Sequence, residues 1–141
     1  SKDEQLAAIT AKALKEIKYH VRWSSEWGIR LGDGTEESKQ RMQKAMDELW
    51  RYTGEMFLPA SYELQAASLG IGFDVSLLKD EWLQKVKAVF DEATISSPFE
   101  GGWEGAAFMQ TGGKEGIHTE YMGFILTELQ YMQRAYPKSQ W

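Results

Sequence analysis

Two carboxylate–imidazole pairs are the side chains of this sequence whose types and spacing could do chemistry. Glu115 and His118 have Glu-x-x-His spacing, with which one helix turn can offer both groups to a metal ion. A carboxylate-bridged two-metal site needs that motif twice, and a glutamate from each of two further helices. The sequence contains it once, directly after a glycine-rich segment. The preferred interpretation is therefore a glutamate at a helix start and a hydrogen-bonded histidine.

Glu16 and His20 are four residues apart, one more than the ligand spacing. Tyr19 stands where a ligand histidine would follow Glu16, and Ile17 stands where a glutamate would precede His20. An alkyl side chain cannot bind a metal, and a phenol rarely does. We therefore interpret Glu16 and His20 as degenerate metal positions that form a buried ion pair or hydrogen bond. No catalytic, cofactor-binding or metal-binding residue is predicted in this chain.

Composition excludes several other kinds of site. The chain has 141 residues, no cysteine and a formal net charge of −5, so cysteine catalysis, disulfides and thiolate metal sites are absent. The net negative charge provides no basic surface that would favour binding of nucleic acid. No apolar run approaches the roughly 20 residues that span a bilayer, and no signal sequence opens the chain. We expect a cytoplasmic protein without nucleic-acid or membrane partners.

Helical periodicity accounts for most of the chain and predicts an all-α fold in one helical domain, residues 1–141. Helices are predicted over 6–31, 35–57, 61–69, 77–93 and from 117 to just before Pro137. The short connection between the first two predicts that they pack antiparallel. Gly32 and Gly34 are expected to end the first helix with positive φ. The residues expected to face the core from it are Leu6, Ile9, Ala13, Ile17, Val21 and Trp27.

Aromatic residues point to association with another protein. The chain has six tryptophans, and large rings are enriched both in cores and at interfaces. The segment 94–114 contains Pro98 and five glycines, follows no helical period, and is longer than a connection requires. Phe99 and Trp103 are its aromatic residues of note. We select Trp27 and Trp103 as expected partner-binding anchors.

Longer motifs carry a resemblance to a known family. They are Lys-Glu-Ile-Lys-Tyr-His-Val-Arg-Trp-Ser-Ser-Glu-Trp (15–27), Arg-Leu-Gly-Asp-Gly-Thr-Glu-Glu-Ser (30–38), Gly-Gly-Lys-Glu-Gly-Ile-His-Thr-Glu-Tyr-Met-Gly (112–123) and Leu-Thr-Glu-Leu-Gln-Tyr-Met-Gln-Arg (126–134). The sequence resembles the C subunits of bacterial phenylacetyl-CoA epoxidases along its whole length. It is similar to their C-terminal portion only.

This resemblance implies a ferritin-like helical bundle whose first helices are absent here. It implies a structural subunit that has lost a working metal site and holds no cofactor. In that family the A subunit holds the diiron centre and binds the acyl-CoA. Further small subunits belong to the complex, and a reductase supplies electrons. The complex epoxidises the ring of phenylacetyl-CoA during phenylacetate degradation. Glu16 and His20 fall on the degraded metal helix and are expected as core polar residues.

Two further functions stay open on the sequence. The chain could itself be a diiron or other metal-dependent oxidoreductase, which would require four carboxylates and two histidines around one cavity. It could also be a helical interaction module unrelated to oxygenases. The leading hypothesis is a non-catalytic subunit that stabilises a diiron partner.

Overall fold

The computed structural model describes residues 1–98 and 108–140, and all regular structure in them is helical. The helices are α1 (Glu4–Gly32), α2 (Glu36–Leu49), α3 (Ser61–Ser68), α4 (Lys79–Glu92), α5 (Glu120–Leu129) and α6 (Tyr131–Ala135). Short 3₁₀ helices lie at Trp50–Tyr52, Gly54–Phe57, Val75–Leu78 and Gly113–Glu115. The all-α prediction is confirmed. None of the helices among the described residues is both long and apolar enough to cross a membrane.

The chain divides into two compact units, Ser1–Gln110 and Thr111–Trp141. This division does not test the expectation of one helical domain over residues 1–141, which stays a prediction. The first unit contains α1 to α4, and the second contains α5 and α6.

Side-chain caps explain where the first two helices begin. The Asp3 carboxylate accepts a hydrogen bond from the Leu6 backbone N–H at 2.7 Å, so α1 starts two residues before its predicted start. The Thr35 hydroxyl oxygen accepts from the Ser38 N–H at 3.2 Å, which confirms the predicted cap of α2. Acidic residues follow both caps and complement the helix dipole.

The connection between α1 and α2 places them side by side as an antiparallel pair. A Cβ built on Gly28 of α1 would lie 3.8 Å from the Met42 side chain of α2, across a turn of three residues. The same position would lie 3.8 Å from Val89 of α4, and Gly32 approaches Ala93 four residues further along. Since these contacts advance together along both helices, α1 and α4 run parallel.

Gly32 is the last residue of α1, and glycine is needed there for a different reason from the one predicted. Neither Gly32 nor Gly34 has positive φ. A Cβ on Gly32 would lie 2.8 Å from the Ala93 Cβ and closer still to the Ala93 carbonyl oxygen. Ala93 is fully buried. Glycine is therefore required at position 32 because two backbones meet there.

The second helix stops earlier than predicted. Its α-helical part ends at Leu49, and 3₁₀ turns replace it from Trp50 to Phe57. The Thr53 hydroxyl donates to the Trp50 carbonyl at 2.8 Å and competes with the helical ladder. Gly54, which follows, lies so close to Met109 that a Cβ there would be 2.7 Å from its Cγ. Local polar competition and a tertiary contact thus end a helix whose apolar period continues.

The core of the first unit is small. Its buried cluster is Met46, Trp50, Ala93 and Ile95, with the partly buried Trp82, Val86 and Phe90 of α4 packed against it. The Trp82 ring lies 5.5 Å from the Trp50 ring and 5.1 Å from the Phe57 ring, measured between centroids. All six residues predicted inward from α1 are instead exposed, including Ile9, Ile17 and Val21. That part of the prediction is wrong for this chain.

The last predicted helix is also shorter and broken. In the second unit, Gly112 and Gly116 both have positive φ, and the Ile117 N–H donates to the Gly112 carbonyl at 2.8 Å. This closed loop delays the start of α5 to Glu120. The helix is then interrupted at Gln130, between α5 and α6.

Replacing Gly32 with alanine should destabilise the protein by about 1–3 kcal/mol, since the new methyl group meets the Ala93 backbone. Gly28→Ala is the matched control, one turn earlier in the same helix, where the methyl group makes only ordinary contacts. It should be neutral or stabilise by about 0.5–1 kcal/mol. Urea unfolding followed by circular dichroism measures both. Equal effects of the two substitutions would contradict the close approach.

Gln43 of α2 should hold the segment after α4 in place. Its Nε2 donates to the Ser96 carbonyl at 3.0 Å, and its Oε1 accepts from the Ser96 N–H at 2.9 Å. Gln43→Ala should cost about 1–2 kcal/mol in urea unfolding. Gln40→Ala is the control because the Gln40 side chain bonds to Glu36 of its own helix; it should stay within about 0.5 kcal/mol. A similar loss of stability for both variants would show that the hydrogen bonds between Gln43 and Ser96 do not hold this segment in place.

Candidate functional site

Glu16 and His20 lie near the middle of α1, and their side chains face each other. The distance from Glu16 Oε1 to His20 Nε2 is 3.8 Å, which is within reach of an ion pair but too long for a hydrogen bond. The burial expected of them is wrong in this chain, since the His20 side chain is 60% exposed and the Glu16 side chain 75%. The physical reason is position: the packing of α1 against α2 and α4 is concentrated near its C-terminal end, at Gly28 and Gly32.

These two side chains supply only two donor groups. Among residues 1–98 and 108–140, no three His, Asp or Glu side chains are placed so that they could hold a metal ion. A two-metal centre of the carboxylate-bridged type needs six such ligands. The donor set in the described part of the chain does not by itself fit a diiron centre. That no metal is bound at Glu16 and His20 stays a prediction.

The second pair is not arranged as the Glu-x-x-His spacing requires. Glu115 ends a 3₁₀ turn, Gly116 follows with φ of 83°, and His118 lies in the short stretch before α5 begins at Glu120. Because the backbone between them is not helical, the two side chains do not project from one helix turn. The prediction of a glutamate at a helix start is therefore wrong, and the isolated motif gains no support.

An aromatic surface with arginines lies on the exposed side of α1. The rings of Trp23 and Trp27 meet edge to face with centroids 6.4 Å apart. The guanidinium of Arg30 lies 5.7 Å from the Trp27 ring, and that of Arg22 lies 5.6 Å from the Tyr19 ring. Trp23 is 53% exposed and Trp27 is 44% exposed. Tryptophan and arginine are the residues most enriched at the energetic centres of interfaces.

Sequence reasoning identifies one member of this surface and misses the others. Trp27 is an expected anchor, and its exposure is compatible with that role, which stays a prediction. The four-residue spacing of Tyr19, Trp23 and Trp27 could have identified the surface as a whole. Trp103, the other expected anchor, lies outside the described residues, as does Phe99.

A groove of about 560 Å³ lies on the other side of α1, between that helix and α4. Its lining is largely apolar, with contributions from Val21, Met42, Trp82, Val86 and Phe90. Glu81 and Lys85 stand among the lining residues and pair with each other at 2.6 Å. The hydrogen bond from Lys85 and its positive charge lower the pKa of the Glu81 carboxyl. The groove therefore offers apolar contact area, and the charges of Glu81 and Lys85 are paired with each other.

Comparison with known proteins adds the functional context. A family model described as phenylacetic acid catabolic protein matches residues 1–141. The C subunit of the 1,2-phenylacetyl-CoA epoxidase of Escherichia coli (strain K12) is 45% identical over 141 residues. The alignment covers all of this chain and 54% of that relative, so the chain spans about half of the relative's length. The helical structure, the motifs of α1 and this full-length match together show that the chain belongs to the phenylacetic acid catabolic protein family.

Proposed function

We propose that this chain acts as part of a non-catalytic subunit of a phenylacetyl-CoA epoxidase. In this role it would associate with the diiron subunit that performs the oxygenation, and it would hold that subunit in its active geometry. The proposal rests on membership of the family and on the identity to a relative named as the C subunit of such an epoxidase. The epoxidation of the aromatic ring would remain the chemistry of the partner, with electrons from a reductase.

The observation that carries the proposal is the imbalance between core and surface. Only five hydrophobic residues in the described part of the chain are buried: Met46, Trp50, Ala60, Ala93 and Ile95. Large apolar side chains are exposed on α1, α2, α3 and α5, among them Trp23, Leu49, Leu64, Phe124 and Leu129. The large apolar side chains of α4 are half-buried. Large exposed apolar surfaces mark sites of association. Obligate interfaces of about 2,000 Å² or more would cover such surfaces.

The donor set favours assigning the chemistry to the partner. A diiron oxidoreductase built from this chain would need both of its histidines, His20 and His118, around one cavity with four carboxylates. Instead, Glu16 and His20 form an exposed pair, and the Glu115–His118 spacing is interrupted by a glycine with positive φ. The proposed contribution to catalysis is therefore mechanical. Burial of the partner's apolar helix faces would fix the helices that carry its metal ligands.

Reconstitution tests this role. In a chimera, this chain replaces the matched region of the E. coli relative, and the chimera is combined with the diiron subunit and reductase. We expect the chimera to co-purify with the diiron subunit and to support turnover of phenylacetyl-CoA. The chimera with reductase alone should give none. Turnover without the diiron subunit, or equal turnover by the diiron subunit without the chimera, would contradict the structural role.

Metal content provides a second test. The chimera, expressed alone in iron-supplemented medium and purified without chelator, should contain far less than one iron per chain, because Ile17 and Tyr19 occupy the positions of α1 where two further ligands would be required. The double variant Glu16→Gln with His20→Gln should therefore leave the iron content unchanged. If the protein contained one iron per chain and this double variant removed it, a metal-dependent oxidoreductase would become the preferred function.

A further inference from the structure

The groove between α1 and α4 is narrow at one end and open at the other. At the narrow end, a Cβ on Gly28 would lie 3.8 Å from the Met42 side chain of α2 and 3.8 Å from the Val89 side chain of α4, so three helices meet there. At the open end, the lining residues Val21 and Leu78 are exposed. The groove is therefore a tapering space with walls from one polypeptide.

Aromatic side chains and a thioether form much of its lining. The rings of Phe57, Trp82 and Phe90 are half-buried, and the first two lie 5.1 Å apart between centroids. The flexible side chain of Met42 contributes its sulfur to the same lining. Aromatic rings and thioethers both make favourable contacts with a further aromatic ring. An aromatic ligand would thus meet complementary groups in the groove.

The charges of the lining favour a neutral ligand. The charged side chains among the described residues that line the groove are Glu81 and Lys85, which pair with each other at 2.6 Å. The Ser24 hydroxyl donates to the Val21 carbonyl of its own helix at 3.1 Å. An ionised ligand would therefore find no unpaired opposite charge, and the burial of an unpaired charge is costly. Compounds with phosphate or carboxylate groups are not expected to enter.

The volume of the groove favours a small molecule over a helix. Its 560 Å³ lies within the range of about 300–1,000 Å³ of ligand pockets. An apolar cavity of about 150 Å³ is already large enough for benzene. A helix with its side chains is about 10–12 Å wide, so this volume would hold only about one turn of it. The approach of three helices at Gly28 also blocks a longer segment.

We propose that this groove is a binding site for a neutral aromatic molecule of one or two rings. The site is separate from the Glu16–His20 pair, since neither residue lines the groove. The proposal rests on the cavity and its lining, and not on the proposed role beside a diiron subunit. The two can therefore fail separately.

Binding is measured in the chimera in which this chain replaces the matched region of the E. coli relative. The neutral probe is para-fluorotoluene, and the anionic control is para-fluorobenzoate. Fluorine NMR of the probe gives the affinity, and NMR of labelled methionine methyl groups gives the location. We expect para-fluorotoluene to bind with a Kd of about 1 mM or below and to shift the Met42 methyl signal.

Two controls accompany this measurement. The methyl signals of Met122 and Met132, which belong to the second unit, should not shift. Binding of para-fluorobenzoate should be weaker by about tenfold or more, because its carboxylate would lose water without gaining a partner. Equal affinity for the two probes would overturn the proposal, as would an unchanged Met42 signal up to the solubility limit of para-fluorotoluene.

A variant that fills the groove tests the position of the site. Val21→Trp should weaken binding of para-fluorotoluene by about tenfold or more, because the larger side chain occupies the open end. Val21 is 55% exposed, so helicity and Tm should stay nearly unchanged. Ile17→Trp is the matched control, since Ile17 lies one turn earlier, is 53% exposed and does not line the groove. Unchanged binding by the Val21→Trp variant would overturn the proposal.

The remaining outcomes concern other occupants. Binding by the isolated chain but not by the chimera would show that another segment of the subunit covers the groove, and it would overturn the proposal. Displacement of para-fluorotoluene by the diiron subunit would overturn it as well, because that subunit would then be the occupant. Failure of the chimera to co-purify with the diiron subunit, with probe binding intact, would instead reject the proposed function and leave this inference standing.

Discussion

The close approach of α1 to α4 is the contact on which the first unit depends. Gly32 touches the Ala93 backbone, Gly28 lies against Val89 and Met42, and Ala93 is fully buried. Small residues at these points let two helix backbones come together, so α1 serves as the support for both α2 and α4. The aromatic rings of Trp50, Trp82 and Phe57 pack together beside that support. Because the support lies at one end of α1, much of the rest of that helix extends beyond the core.

The extension of α1 explains why so little is buried. Hydrophobic burial contributes about 25 cal/mol per Å² of apolar area removed from water, and a domain needs a large total to offset the conformational entropy of folding. A cluster of four buried residues with partly buried neighbours contributes only part of such a total. The exposed apolar side chains of α1, α3 and α5 leave further apolar area in contact with water. Association with further helices, as in the proposed function, would bury that area.

Local signals made much of the fold predictable from the sequence. The caps at Asp3 and Thr35 and the apolar period of α4 place helices within two or three residues, because each depends on neighbours in the chain. The early end of α2 could not be found in this way, since it depends on a hydroxyl that competes with the ladder and on Met109, more than fifty residues away. The prediction for Gly32 was wrong for the same reason. A glycine in a sequence can indicate either a positive φ or a close contact between two backbones. Only the position of the neighbouring backbone shows which of the two applies.

In the candidate site, too, the sequence pattern predicts some features, while others depend on what surrounds the helix. A helical period indicates that one side of α1 is apolar, and the spacing of Glu16 and His20 indicates that they pair. Neither pattern contains information on what covers that side. If a neighbouring helix encloses that side of α1, the pair enters a drier environment, in which an isolated charge is far more costly than a paired one. Loss of one member alone would then leave an uncompensated group, whereas replacement of both by apolar side chains of similar size would cost little. An enclosed Glu16–His20 pair would in this way restrict how the neighbouring helices align.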